Sequence, residues 1–151
     1  MRRREFITLL GGAAAWPLAA GAQQSGPMRR IGAITTLAVD DPEGQSRLMA
    51  FGQGMQELGW SLGRNFRIES RWGASDADRK RRYAAELVTL APDVILVNGT
   101  ALGPLLEATR RVPIVFANVP DPVGAGFVAS LPRPGGNATG FTLAEFGMSG
   151  K

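Results

Sequence analysis

Val94-Ile95-Leu96-Val97, followed by Asn98-Gly99-Thr100, and then Pro113-Ile114-Val115-Phe116-Ala117 decide how this chain folds. Each is a short apolar run, rich in β-branched residues and bounded by turn formers, which reads as a strand buried on both faces. Between them Gly103-Pro104 opens a short helix through about Arg110. Two fully apolar strands joined by a helix make a crossover unit with parallel strands.

The same alternation extends toward the amino terminus. Tyr83, Leu87 and Leu90 recur at helical spacing and stop at Pro92, and Ser75-Asp76-Ala77-Asp78 ahead of them resembles a capping box. Phe66, Ile68, Ser70 and Trp72 alternate with Arg67, Glu69 and Arg71, so this strand has one wet face and lies near a sheet edge. Leu48, Phe51, Met55 and Leu58 form one helical stripe. Asp40-Asp41-Pro42 starts that helix, and Gly59 ends it as a left-handed cap with Trp60 as the apolar contact beyond. Ile31-Gly32-Ala33-Ile34-Thr35 is the first buried strand. The series predicts a parallel sheet wound on both faces, with right-handed crossovers. After Ala117 the texture changes: residues 118–137 hold four prolines and four glycines. A long loop is expected there, with at most a short helix near Gly124 to Leu131, before a final short strand at Gly140-Phe141-Thr142.

The first 22 residues have a different character. Arg2-Arg3-Arg4-Glu5-Phe6-Ile7 precedes an apolar run from Thr8 to Ala20, and Ala20-Gly21-Ala22 closes it. A basic start, an apolar middle and a small-x-small end form an export signal. The Arg3-Arg4-x-Phe6-Ile7 order resembles a twin-arginine signal, which implies bacterial export in the folded state. A membrane-spanning helix needs roughly twenty apolar residues, and this run is shorter and broken by Gly11, Gly12 and Pro17. Cleavage after Ala22 leaves a single α/β domain, residues 23–151, in the periplasm. With no cysteine in the chain there is no lipid-attachment site and no disulfide.

Apolar residues make up 44% of the chain, enough for a real core. The net charge of +4 is partly the leader's, since it holds three arginines and one glutamate. The remainder is nearly balanced, which gives little support to a nucleic-acid partner, and none is expected. The basic run Arg79-Lys80-Arg81-Arg82 reads as a solvated helix face, because no second basic cluster or aromatic platform accompanies it. There is no histidine either. The commonest general base, the usual zinc ligands and the thiol nucleophile are therefore missing. No cofactor or metal is expected.

In wound parallel sheets ligands bind beyond the carboxyl ends of the strands. Those positions hold Thr35, Thr36 and Asp40-Asp41, then Asn98-Gly99-Thr100, then Asn118, Pro120 and Asp121. Hydroxyls and amides suit a carboxylate, and Asp121 suits an amine, so the row fits a small zwitterion. The same residue types also cap helices and make turns, and both roles stay open for each of them. Gly124-x-Gly126-x-x-Ala129 has the spacing of a dinucleotide fingerprint but not its position between a first strand and a helix. A phosphoacceptor receiver would need an aspartate where Asn98 stands. Asn137-Ala138-Thr139 has the form of a glycosylation acceptor, which carries little weight behind a bacterial leader.

The stretch from Pro113 to Thr142, above all Asp121-Pro122-Val123-Gly124 and Pro134-Gly135-Gly136-Asn137, resembles the ABC-transporter substrate-binding proteins related to tryptophan and aromatic amino-acid importers. Ile31-Gly32-Ala33-Ile34, Phe51-Gly52-Gln53-Gly54-Met55, Glu57-Leu58-Gly59-Trp60 and Ala91-Pro92-Asp93-Val94-Ile95 fit in order, so the resemblance covers residues 29–151. It implies a type I periplasmic-binding-protein-like fold of two doubly wound α/β lobes. A small molecule such as an amino acid binds in the cleft between them, and an inner-membrane ABC permease is the partner. By motif position the ligand-binding residues are Thr36, Asn98, Gly99, Thr100, Asn118 and Asp121. This chain departs from the pattern at Pro120 and in the loop after Val97. It is also about half the usual length, so the expectation is an N-terminal lobe cut off before the second. Two other classes remain. One is a small exported enzyme using Asp40, Asp41 or Asp121 as acid or base, and the other is a one-lobed sensor or docking module.

Overall fold

A computed structural model of the chain describes residues 26–142. The leader, with its cleavage position, and residues 143–151 lie outside the described residues.

Five strands form one parallel sheet in the order β2-β1-β3-β4-β5. They are β1 (Arg29–Thr35), β2 (Phe66–Trp72), β3 (Val94–Asn98), β4 (Ile114–Ala117) and β5 (Ala138–Phe141). Three helices connect them: α1 (Pro42–Glu57), α2 (Ala77–Thr89) and α3 (Leu102–Ala108). The half-wet strand is an edge strand, as its alternation requires. The chain runs from β1 outward to β2, then back past β1 to β3 and β4. Right-handed crossovers in these two directions put α1 on one face and α2 and α3 on the other, and that is the arrangement here.

The two faces are not equally filled. Ile34, Ile95, Val97, Ile114 and Phe116 point toward α2 and α3 and are at most 2% exposed. They meet Ala84, Leu87, Leu102 and Leu105 in the main core. Fully burying each aliphatic or aromatic side chain contributes about 1.5–3 kcal/mol. The opposite face carries Ala33, Leu96 and Ala117 beneath α1, and it borders a groove of about 440 Å³. In α1 only Gly44 is buried, and Leu58, expected on the buried stripe, is 77% exposed. Phe141 on the last strand is as exposed as Leu58.

The helix ends follow the local chemistry. Asp41 Oδ1 accepts from the N–H groups of Glu43 and Gly44 at 2.8 and 3.2 Å. At the other end Gly59 has φ +85°. The N–H of Trp60 bonds the carbonyl of Met55, and that of Gly59 bonds Gln56, each at 2.9 Å, the two bonds of a Schellman cap. Trp60 then meets Phe66 edge-on, with ring centres 6.4 Å apart. In α2 the cap is Asp76, whose Oδ1 accepts from the Arg79 N–H at 2.8 Å.

The long loop expected after Ala117 is present, and near Gly124 to Leu131 it is a chain of turns with no helix, because its glycines and prolines supply bends but no continuous ladder. It is tied down by Val119 and Val128, 3% and 5% exposed. The basic run on α2 is a solvated face only in part. Arg81 pairs with Asp78 and Arg82 lies over Tyr83, whereas Lys80 is buried with Ala84 and Leu87.

Candidate functional site at the carboxyl rim of the sheet

The strand order reverses between β1 and β3, and there the loops leaving the two strands diverge into α1 and α3. A crevice at such a switch point is where wound sheets bind ligands. Thr36 follows β1 and Gly99-Thr100 follows β3, so these residues flank it. They also touch. A β-carbon at Gly99 would lie 2.3 Å from Thr36 Oγ1 and 3.3 Å from Thr36 Cβ. Gly99 has φ +76°, a conformation that suits glycine. The residue therefore meets two requirements at once, a left-handed turn and a close approach.

Thr100 is exposed, and its Oγ1 accepts from Lys80 Nζ at 3.0 Å. On the α1 side of the rim, Asn98 Oδ1 accepts from Arg47 Nη1 at 2.9 Å, and Arg47 also pairs with Glu43. Asn98 and Asn118 both border the groove beneath α1.

Asn118 (φ 54°) and Asp121 (φ 35°) hold left-handed backbone without being glycine, as does Ala74 (φ 48°) just beyond β2. Such strained backbone gathers at functional sites more often than elsewhere. The Asp121 carboxylate is engaged in its own loop: Oδ1 accepts from the Gly124 N–H at 2.8 Å. Asp41 is likewise occupied by its helix cap. Asn137, in the acceptor-like triplet, donates its amide to the carbonyls of Val112 and Thr109 at 2.8 and 3.3 Å, a structural tie between loops. Among the described residues no group of His, Cys, Asp or Glu is disposed to hold a metal ion. No described helix is long and apolar enough to cross a membrane.

Thr36, Gly99 and Thr100 are thus brought into one cluster, with Asn98 and Asn118 on its α1 flank and Asp121 in the adjoining loop. The sequence reading passed over Lys80 and Arg47. The spacing of Lys80, Ala84 and Leu87, one and two helical turns apart, marks Lys80 as inward-facing. Nothing in the sequence pairs Arg47 with Asn98.

The family profile described as "ABC transporter substrate binding protein" matches residues 34–146. The match spans most of the chain, and this chain belongs to that family. It is similar to a tyrosine-binding protein of Clostridioides difficile, with 30% identity over 68% of this chain and 30% of that one. Among solved structures it resembles an ABC domain from Streptococcus pneumoniae in complex with L-Trp, at 26% identity and TM-score 0.69. It also resembles a conserved domain protein from Vibrio cholerae, at 28% identity and TM-score 0.70. Both matches cover 76% of this chain and 38% of the other. The chain therefore spans well under half the length of the relatives it matches.

Proposed function

We propose that this chain is the N-terminal lobe, residues 23–151, of an extracytoplasmic solute-binding component of an ABC importer. In this reading the protein is carried to the periplasm by the leader, with cleavage after Ala22. It binds an amino acid or related small molecule between this lobe and a second one, and delivers it to a permease in the inner membrane. Members of the family are binding proteins that work outside the cytoplasm. The single observation that carries the reading is the rim at the switch point, where Thr36, Gly99 and Thr100 meet with Asn98 and Asn118 alongside. Short donors and acceptors gathered there suit a small polar solute, and Asp121 at the neighbouring loop suits its amine.

One lobe presents one wall, and tight binding of a small ligand encloses most of its surface. The test is therefore a thermal-shift and calorimetry screen of the full-length gene product against amino acids and related organic acids. Ligand at about one hundred times Kd adds roughly 2.7 kcal/mol of stability by mass action, which reads as a clear rise in melting temperature. No rise across the panel overturns the proposal.

A further inference from the structure

The sheet is covered unequally, and the inequality runs residue by residue along β3 and β4. Ile95, Val97, Ile114 and Phe116, which face α2 and α3, are fully buried. Their neighbours on the other face, Val94, Leu96, Val115 and Ala117, are only half-buried. Phe141, beside Ala117 in the register of β4 and β5, is 77% exposed. Strands apolar on both sides belong to sheets that are covered on both sides.

The dimensions say what is wanting. Five strands about 4.8 Å apart make a face roughly 19 Å across, and a helix with its side chains is about 10–12 Å wide. Each face therefore takes two helices. One has α2 and α3, and the other has α1 alone among the described residues. The groove of about 440 Å³ lies between Ala50 and Phe51 of α1, Leu96 and Ala117 of the sheet, and Phe141. Ala50 is exposed there. Gly54, one helical turn further on, has open space where a β-carbon would stand. That side of α1 therefore lets a second helix approach closely.

Handedness says where such a helix comes from. From β1 through β3 and β4 to β5 the chain moves in one direction across the sheet. Right-handed crossovers in that direction lie on the side of α2 and α3, and Val119 and Val128, from the loop between β4 and β5, join the core on that side. A further unit added beyond β5 would place its helix there too. The α1 side is open to a segment that has left the lobe and come back. The relatives have the length for one, since this chain spans 38% of the solved structures it resembles.

We propose that the groove beside α1 seats an amphipathic helix from the C-terminal part of the full-length polypeptide, returning from the second lobe to complete the first. This rests on the reading of the chain as an N-terminal lobe and adds a second covalent passage between the two lobes.

The test uses the full-length protein, freed of other cysteines, with Ala50→Cys or Met49→Cys. Met49 is 68% exposed on the same helix and does not line the groove. Without solute, a maleimide should react with the cysteine at 50 at least ten-fold more slowly than with that at 49, and equally with both in urea. Ala50→Glu should then remove hydrogen-exchange protection from α1 and from one stretch beyond residue 151 whose apolar residues recur at helical spacing. Met49→Glu should leave that stretch protected. If Ala50→Glu does not fold, the cysteine pair alone decides. Equal labelling at the two positions overturns the inference. Slow labelling that disappears on dilution assigns the groove to a second copy, and slow labelling that appears only with solute assigns it to cargo, and both overturn it. In each of these cases solute binding by calorimetry still supports the solute-binding reading. A full-length product with no residues beyond this lobe overturns the lobe reading and the inference with it.

Discussion

Thr36 Oγ1 occupies the place where a side chain at Gly99 would begin: the distance from a β-carbon there is 2.3 Å. Gly99→Ala must therefore displace Thr36 and also hold alanine at φ +76°. Strain of this kind costs about 1–3 kcal/mol. Urea unfolding should show that loss, and calorimetry should show solute binding reduced by more than about ten-fold. Adding Thr36→Ala relieves the clash, so the double variant should recover part of the stability and none of the binding. A Gly99→Ala protein with unchanged stability would mean that the two loops do not meet as described.

A second close contact joins the last strand to the core. Gly140 pairs with Phe116 across β4 and β5, and a β-carbon at Gly140 would lie 2.0 Å from the Phe116 carbonyl oxygen. Phe116 is fully buried and has no room to move. Gly140→Ala should push β5 off the sheet edge, at about 1–3 kcal/mol as in other overpacked sites. Hydrogen exchange should report it as lost protection confined to residues 138–141, with β1 and β3 unchanged.

Most of the architecture was legible because each element carried its own signal. Val94 to Val97 and Ile114 to Ala117 are apolar on both faces, Asp41-Pro42 and Gly59 mark the ends of a helix, and Arg67, Glu69 and Arg71 place their strand at an edge. The rim residues were legible for a related reason: the carboxyl ends of parallel strands follow from the strands themselves. What was missed depends on contacts distant in sequence. Lys80 reads as one of four consecutive basic residues, and although it shares the inward face of its helix with Ala84 and Leu87, the place of its stem over Gly73 is not marked in the sequence. Arg47 finds Asn98 across the sheet. The turns after Asp121 keep to the long loop expected, because one carboxylate and two prolines settle the chain before a helical ladder can form.

The unequal filling of the sheet has a consequence for solution behaviour. Leu48, Phe51, Trp72, Leu96 and Phe141 line the groove beneath α1, and apolar surface gathered in one groove binds apolar probes. The chain should enhance the fluorescence of a hydrophobic dye with saturable binding. Leu96→Glu should abolish most of the signal. Met49→Glu should leave it unchanged, because Met49 on the same helix is 68% exposed and does not line the groove. Equal effects from the two variants would place the dye elsewhere.

Acid stability should depend on Asp76, the cap of the helix that carries Lys80. The Arg79 N–H bonded to its carboxylate holds the group below its ordinary value of 3.8, with the Arg79 charge acting in the same direction. The folded state thus favours the ionised form. The stability this gives is fully present above the unfolded value and is lost as pH falls through the lower, folded one. Asp76→Asn keeps an acceptor for the helix end and removes the titration. Its melting temperature should match wild type less well at neutral pH than at the acid end, where the difference closes. Asp76→Ala removes the cap as well, so it should melt lower than the Asn variant at neutral pH and show the same flattened acid limb. Thermal melts of the three proteins from pH 6 down through the carboxylate range decide it. An Asn variant that follows the wild-type acid limb in parallel would show that Asp76 is not the group responsible.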